Sequence, residues 1–369
     1  MKVAIIHDWL TGMRGGEKCL EVFCELFPEA TVFTLLHKRG SMSKIIENME
    51  IRTSFLQKFP NIEKRYRYYL PLMPIAIKQF NLQGYDLILS SSHCVAKGIK
   101  IPKGSLHICY CYTPMRYVWD MYNQYFDNSR FYIKYSMKWL RKYLQKWDVK
   151  SSVNVHHFIA ISEYIRERIK KHYNRDSLVI YPPVDTIFFK SEDLTPEKSI
   201  HPYYLVVSSF APYKKIDLAI EAFNKLGYSL KIIGNGQDEK KLRKIAKDNI
   251  EFLGWRNNDE LRIYYNNCKA LIFPSEEDFG IVPVEAQSMG RPVIAYKKGG
   301  SSETIVEGVT GIFFEEQNVS SLIDAVKKLE NMKFNSNNAV ENARGFNKII
   351  FKNKIKNFID EKVKIMYNI

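Results

Sequence analysis

Short apolar runs recur along the chain, each bounded by polar or glycine residues and separated by stretches with helical periodicity. In the first half they are KVAIIH (2–7), DLILSS (86–91), LHICYCY (106–112) and HFIAIS (157–162). A Gly-rich turn (Gly12, Gly15, Gly16) follows the first run and leads into a helical pattern from Glu17 to Leu26. Runs this short suit strands rather than helices, so the alternation predicts βα units and a mostly parallel sheet. Tyr181-Pro182-Pro183-Val184-Asp185 interrupts the pattern, because each proline disfavours helix at the residue before it. After a charged, loop-like stretch to about Pro202, the alternation restarts with YYLVVSS (203–209), SLKIIG (229–234), NIEFLG (249–254), KALIFP (269–274) and RPVIAY (291–296). The economical expectation is two α/β domains, 1–185 and 186–345, joined near 183–200. A C-terminal helix over 346–369 follows, with Phe351, Ile355, Phe358, Ile359 and Val363 on one face.

Composition narrows this picture. The 369 residues exceed one ordinary core and suit two domains, and 46% apolar residues fit a globular protein. No apolar run approaches the roughly 18 residues of a membrane-spanning helix. The first run, broken by His7 and Asp8, lacks the core of a signal peptide, so a cytoplasmic location is expected. The six cysteines form no Cys-x2-Cys pair, which argues against zinc and for reduced thiols. Charge is uneven: residues 1–190 hold 29 Lys+Arg against 16 Asp+Glu, whereas 191–369 hold 26 against 24. A one-sided positive field attracts anionic surfaces or a pyrophosphate-bearing substrate.

Residues 271–305, LIFPSEEDFGIVPVEAQSMGRPVIAYKKGGSSETI, carry the most chemistry. They are expected to form strand, acidic loop, helix, strand, Gly-rich loop and helix start. Glu277 and Glu285 flank Phe279-Gly280-Ile281, and Pro283 sits where a first helical turn tolerates its missing N–H. One carboxylate then lies on the loop ahead of the helix and the other in its first turns. Paired carboxylates accept hydrogen bonds from vicinal hydroxyls of a sugar or ribose. Backbone N–H groups around Gly280 suit an anion at the helix N-terminus.

This segment resembles the Glu-x7-Glu donor motif of retaining glycosyltransferases of the GT-B fold, specifically glycosyltransferase family 4. VVSSFAPYKKIDLAIEAF (206–223), IIGNGQDEKKL (232–242), FLGWRNNDEL (252–261), CYCYTPMRYVWDMYNQY (109–125), YPPVDTIFF (181–189) and the Gly15-Gly16-Glu17 turn match family landmarks in order. The resemblance covers essentially the whole chain, and is strongest to bacterial mannosyltransferases of O-antigen and surface-polysaccharide synthesis. It implies two Rossmann-like domains facing across a cleft, the first on the acceptor side and the second holding a nucleotide-sugar donor. It implies that Glu277 holds donor-sugar hydroxyls, Glu285 the ribose, and the backbone of Phe279, Gly280, Ile281 and Val282 the sugar and diphosphate. Lys214 would pair with the diphosphate, Gly15 and Gly16 would approach it, and Gly234 would border the base. Glu277 and Lys214 are thereby the expected catalytic residues, with front-face attack as the implied mechanism. No Asp-x-Asp occurs in the chain, so the expected charge stabilisation is metal-free, through Lys214, glycine backbone and helix N-termini.

Two positions depart from the family pattern. Ser209 stands where an Arg usually precedes the phosphate lysine, leaving Lys215 or Arg14 to compensate. Tyr112 stands where a His usually precedes Thr-Pro; it can bond a donor-sugar hydroxyl or a neighbouring backbone group, but does not share a proton near neutral pH. His93, Tyr112 and Arg116 are acceptor-side candidates, Arg116 as a phosphate clamp. EKRYRYYLPLMPIAIKQF (63–80) and RFYIKYSMKWLRKYLQKW (130–147) mix cations with aromatics, which suits an anionic membrane boundary as well as a core face with a solvated basic face. No nucleic-acid motif accompanies them, so nucleic acid is not an expected partner.

The expected partners are a nucleotide sugar, GDP-mannose as the single best choice, a lipid-linked or glycan acceptor and the anionic inner face of the cell membrane. An NAD-dependent dehydrogenase is disfavoured by the missing Gly-x-Gly-x-x-Gly. A GT-B-fold sugar-nucleotide epimerase lacks an identifiable acid/base set, and a non-catalytic sugar-nucleotide or glycan-binding protein is the further alternative.

Overall fold

The computed structural model describes residues 1–116, 118–119, 131–191 and 202–368. Parts of the expected 109–125 landmark, residues 192–200 of the linker and Arg130 therefore lie outside the described residues. The chain divides into two compact units, Met1–Pro183 with Phe351–Ile369, and Val184–Ile350.

Among the described residues, the first unit is one parallel sheet of β1 (Val3–His7), β2 (Thr31–Thr34), β3 (Glu50–Thr53), β4 (Leu87–Ser92), β5 (Leu106–Cys111), β6 (His157–Ala160) and β7 (Ser177–Val179). Its strand order is β3-β2-β1-β4-β5-β6-β7. The second unit contains β8 (Tyr203–Val207), β9 (Leu230–Ile233), β10 (Ile250–Gly254), β11 (Cys268–Phe273), β12 (Val293–Tyr296) and β13 (Gly311–Phe314), in the order β10-β9-β8-β11-β12-β13. Both sheets reverse winding direction beside their first strand, at β1/β4 and at β8/β11. Loops leaving the carboxyl ends diverge there, which is where doubly wound sheets place their ligands.

Alternation along the strands explains why the second sheet is buried on both faces. Tyr204, Val206, Ile232, Ile272 and Ile294 pack with the helices Ile216–Leu226 and Val319–Glu330. Their neighbours Tyr203, Leu205, Ile233, Leu271, Phe273 and Val293 pack on the other side with Tyr265, Ala286 and Met289. Successive side chains point to opposite faces, so each strand needs an apolar residue at nearly every position.

The sequence pattern omits β2, β3, β7 and β13. Three of these are edge strands, and β3 and β7 alternate half-buried with exposed positions, so they carry no continuous apolar run. β2, with sequence TVFT, is fully buried but only four residues long.

The last helix spans Lys348–Tyr367 and packs on the first unit. Phe351, Ile355 and Ile359 are buried. Phe351 meets the rings of Phe23 and Tyr110, Lys352 pairs with Glu25 at 3.0 Å, and the Tyr367 hydroxyl donates to the carbonyls of Asp86 and Gly104. The chain thus returns to its first unit after completing the second.

Candidate active site

In the second unit the acidic loop leaves the carboxyl end of β11. Ser275 Oγ donates to Glu277 Oε1 at 2.9 Å, and the Lys214 ammonium bonds the same oxygen. Lys214 ends a 3-10 turn, Pro212–Lys214, that follows β8 across the switch point; the next residue, Lys215, is left-handed (φ +53°) and starts the helix Ile216–Leu226. Glu277 and Lys214 are 20% and 14% exposed as side chains, so the pair sits in a recess that still meets solvent. Gly280, at φ +90°, caps the helix Ile281–Ser288. Phe279 is buried against the ring of Phe346, while Ile281 and Val282 are half-buried in the first turn. Glu285 is buried on that helix and accepts a hydrogen bond from the Tyr265 hydroxyl at 3.2 Å.

The loop 299–300 was singled out in the sequence only as glycine-rich, and the structure gives it a task. The Gly300 amide donates to the Glu277 carbonyl at 2.8 Å. A β-carbon on Gly300 would stand 2.3 Å from Phe279 Cα, and one on Gly299 2.3 Å from the Glu277 carbonyl oxygen. The acidic loop is therefore pressed onto bare backbone, which fixes where the Glu277 carboxylate points. Gly234 is equally constrained: at φ +136°, its β-carbon would overlap the Ser208 carbonyl, and its amide donates to the Gly254 carbonyl at 2.8 Å. Ser209 is exposed beside this turn and brings no cation to it.

The first unit builds a second cluster at its own switch point. Register aligns His7 on β1 with Ser91 on β4, and His7 Nδ1 lies 3.0 Å from Ser91 Oγ. Ser91 Oγ is 2.8 Å from the Tyr112 hydroxyl, which donates to the Gly16 carbonyl at 2.8 Å. Glu17 faces His7 Nε2 at 3.6 Å and accepts the Arg14 amide at 3.0 Å. Burial pushes the Glu17 carboxyl upward, but the hydrogen bond and charge of His7 outweigh it and leave the group below its ordinary value. Gly15 and Gly16 open the helix Gly15–Leu26, so their amides have no acceptor within the helix.

Asp8 was not a candidate in the sequence. It is fully buried and accepts the amides of His93, Cys94, Val95 and Ala96 at 2.6–2.9 Å, with His93 Nδ1 at 3.1 Å. Four main-chain donors on one carboxylate staple the loop after β4 to the end of β1. The signal was an Asp directly after the first buried strand, which is indistinguishable by type from a surface turn residue. Burial lowers the His93 pKa, against the opposing pull of Asp8, and the ring packs edge-on to Trp9. Arg116 is half-buried in the turn after β5.

Two family models match consecutive parts of the chain: Glycosyltransferase Family 4 over residues 28–188 and Glycosyl transferases group 1 over 189–346. The chain belongs to glycosyltransferase family 4. Similar proteins include an uncharacterized glycosyltransferase of Methanocaldococcus jannaschii, 29% identical over 54% of this chain and 56% of the relative. The O-antigen chain mannosyltransferase RfbU of Salmonella typhimurium is 29% identical over 52% of this chain and 57% of that protein. This family-4 chain thus spans about half the length of the curated relatives it matches. Among solved structures, the lipopolysaccharide outer core galactosyltransferase WaaB superposes with a TM-score of 0.68 at 17% identity, over 98% of this chain and all of that one. That likeness establishes the fold: two parallel-sheet, Rossmann-like domains of the GT-B class.

Proposed function

We propose that this family-4 protein is a retaining hexosyltransferase that moves mannose from GDP-mannose to a lipid-linked glycan, without a metal ion. The Lys214–Glu277 pair carries the reading. A cation and a hydroxyl-binding carboxylate meet at the carboxyl ends of β8 and β11, where a departing nucleoside diphosphate and its sugar need one of each. In the free protein the pair is self-neutralised. A bound diphosphate would draw Lys214 toward its own charge and free Glu277 to accept sugar hydroxyls. Glu285, Gly234 and the backbone of 279–282 complete the donor side. Front-face attack, with the donor phosphate taking the acceptor proton, suits a site built for the leaving group. Mannose is favoured by relatives named as O-antigen mannosyltransferases.

The acceptor side rests on the basic first half and its exposed aromatics. Tyr68 is 83% and Trp139 78% exposed, beside exposed Lys142 and Lys146, which fits the headgroup boundary of an anionic membrane on the cytoplasmic side. No helix among the described residues is long and apolar enough to cross a membrane. The deciding experiment is nucleoside-diphosphate release from GDP-mannose, UDP-glucose, UDP-GlcNAc and UDP-galactose with membrane lipid extract, with and without EDTA. The expectation is release from GDP-mannose that EDTA leaves unchanged. Turnover with a UDP-sugar alone would overturn the donor, loss in EDTA the metal independence, and binding without any turnover the enzymatic reading.

A further inference from the structure

A groove of about 600 Å³ opens at the amino ends of β6 and β7, the last two strands on one edge of the first sheet. Its walls come from the first unit alone: the loops entering the two strands, the strands' first residues, and the helix Lys348–Tyr367. None of the donor-side or acceptor-side candidates lines it. Arg175 is fixed there by three main-chain carbonyls, those of Ser152, Val155 and His156, at 3.0, 2.6 and 3.1 Å. These bonds use part of its planar fork of donors, and its Nε–H has no acceptor among the described residues. His156 Nδ1 accepts the His107 amide at 2.8 Å, which places the ring proton on Nε2 as a further donor. The Ser177 hydroxyl, on the first residue of β7, is buried with no hydrogen-bond partner among the described residues.

Lys362 stands over the Phe358 ring, 5.3 Å from its centroid, and pairs with Glu361 at 2.6 Å. The Glu361 side chain is 59% exposed, and a pair so open to water contributes little, so it yields to a better-placed anion. Asp176, the other carboxylate of the lining, is almost fully exposed and engaged with Lys170 at 2.9 Å. Burial lowers the His157 pKa, and Lys362, His156 and Arg175 push it further down against the pull of Glu361. Burial and then Arg175 act the same way on His156. Imidazoles depressed by basic neighbours mark a place where positive charge is in excess. One wall is apolar, made by the exposed Leu178 and by Phe358, which the His157 ring meets edge-on at 6.1 Å.

We propose that this groove binds a phosphate ester, with Arg175, Lys362 and the His156 Nε2–H donating to the phosphate oxygens and Leu178 and Phe358 covering the esterified group. A guanidinium, an ammonium and an imidazole N–H supply charge-assisted bonds to several oxygens of one phosphate. A bare phosphate ion would leave the apolar wall uncovered and most of the groove empty. The same chemistry belongs to a soluble organic phosphate and to the headgroup of an anionic phospholipid. The site is independent of the donor reading, because it opens at the amino ends of the strands, whereas His7 and Asp8 follow the carboxyl end of β1.

The test is an NMR titration of the whole chain, isotope-labelled on its histidines, at constant ionic strength. The probes are inorganic phosphate, glycerol phosphate and dihexanoyl phosphatidylglycerol below its micelle concentration. Saturable shifts of His156 and His157 are expected, with one of the esters binding more tightly than inorganic phosphate. Preference for glycerol phosphate assigns a soluble ligand and preference for the short-chain lipid assigns a headgroup; either result upholds the site. Lys362→Gln should weaken ester binding about 3- to 10-fold, the range of one net hydrogen bond. Glu361→Gln removes the competing carboxylate and should tighten it several-fold, an effect that a structural role for the pair does not predict. Shifts that fail to saturate, shifts at other histidines alone, or inorganic phosphate binding as tightly as both esters would overturn the proposal. So would a Glu361→Gln variant that binds no more tightly than wild type, and this variant carries the test if Lys362→Gln fails to fold.

Discussion

Lys214 and Glu277 are 63 positions apart, and neither is unusual by type; what distinguishes them is that each is the other's partner in a recess. Removing one leaves the other half-buried and uncompensated, so their substitutions do not behave as independent losses. Glu277→Ala is expected to lower kcat about 100-fold or more while the protein keeps its melting temperature within a few degrees, because the loop is held by the Gly300 amide rather than by the carboxylate. Lys214→Ala should lower kcat by a similar factor. The double variant should fall well short of the product of the two. Full activity in Glu277→Ala would remove it from the site. The spacing of Glu277 and Glu285 was legible in the sequence, as was the lysine. Asp8, Ser91 and Ser275 were not, because a buried serine or aspartate is told from a surface one only by the partners that fold onto it.

At the scale of the element, the helix Phe131–Ser152 shows how one segment serves two environments. Its inner face carries Leu144, Trp147 and Asp148, all buried. Asp148 pairs with the buried Lys97 ammonium and accepts the Trp119 indole and the Tyr173 hydroxyl, each at 2.8 Å, so the charge is compensated and the helix is pinned to the loop after β4. Gly98 lies directly under the Trp147 ring, with no room for a side chain. The outer face exposes Trp139, Lys142, Tyr143, Lys146 and Lys150. Among the described side chains of the 130–147 tract, Leu144 and Trp147 are therefore core whereas Trp139 and Tyr143 are not, a division that mixed composition alone could not make. Trp139→Ala with Tyr143→Ala should reduce flotation with anionic phosphatidylglycerol vesicles several-fold without changing the fold, since neither ring contributes to the core. Equal recovery of both proteins with anionic and neutral vesicles would rule this face out as a membrane contact.

For the molecule as a whole, histidines that the fold keeps neutral, the buried His107 above all, set the response to acid. His107 Nδ1 donates to the Asn154 carbonyl, so Nε2 accepts from Ser90 at 2.8 Å, and burial pushes its pKa down to about 3. His156 Nδ1 accepts the His107 amide at 2.8 Å, and its pKa is lowered by burial and then by Arg175. In the unfolded chain these rings titrate near 6.5. Above that value both states are neutral and the full stability is present. Below it the unfolded chain takes up protons that the fold refuses, so stability falls as pH drops toward about 3, by up to about 1.4 kcal/mol per pH unit from His107. The melting temperature should decline from pH 7.5 to pH 5, and His107→Gln should flatten that slope. A profile that is level or rises toward acid would contradict the buried neutral state.

The sequence by itself determined two βα-alternating halves, the short buried strands at their centres, the amphipathic last helix and the residue types at the candidate site. Those follow from local rules: run length, proline placement and the periodicity of apolar positions. The edge strands β3 and β7 escaped it because a strand exposed on one side carries no continuous apolar run. The tertiary structure alone decided that the last helix closes on the first unit, that Gly299 and Gly300 admit the acidic loop, and that the Tyr112 phenol reaches the Gly16 carbonyl. Each of these depends on which distant segment occupies the neighbouring space: for Tyr112 that is settled when the register brings β1, β4 and β5 side by side, and for Gly299 and Gly300 when it pairs β11 with β12.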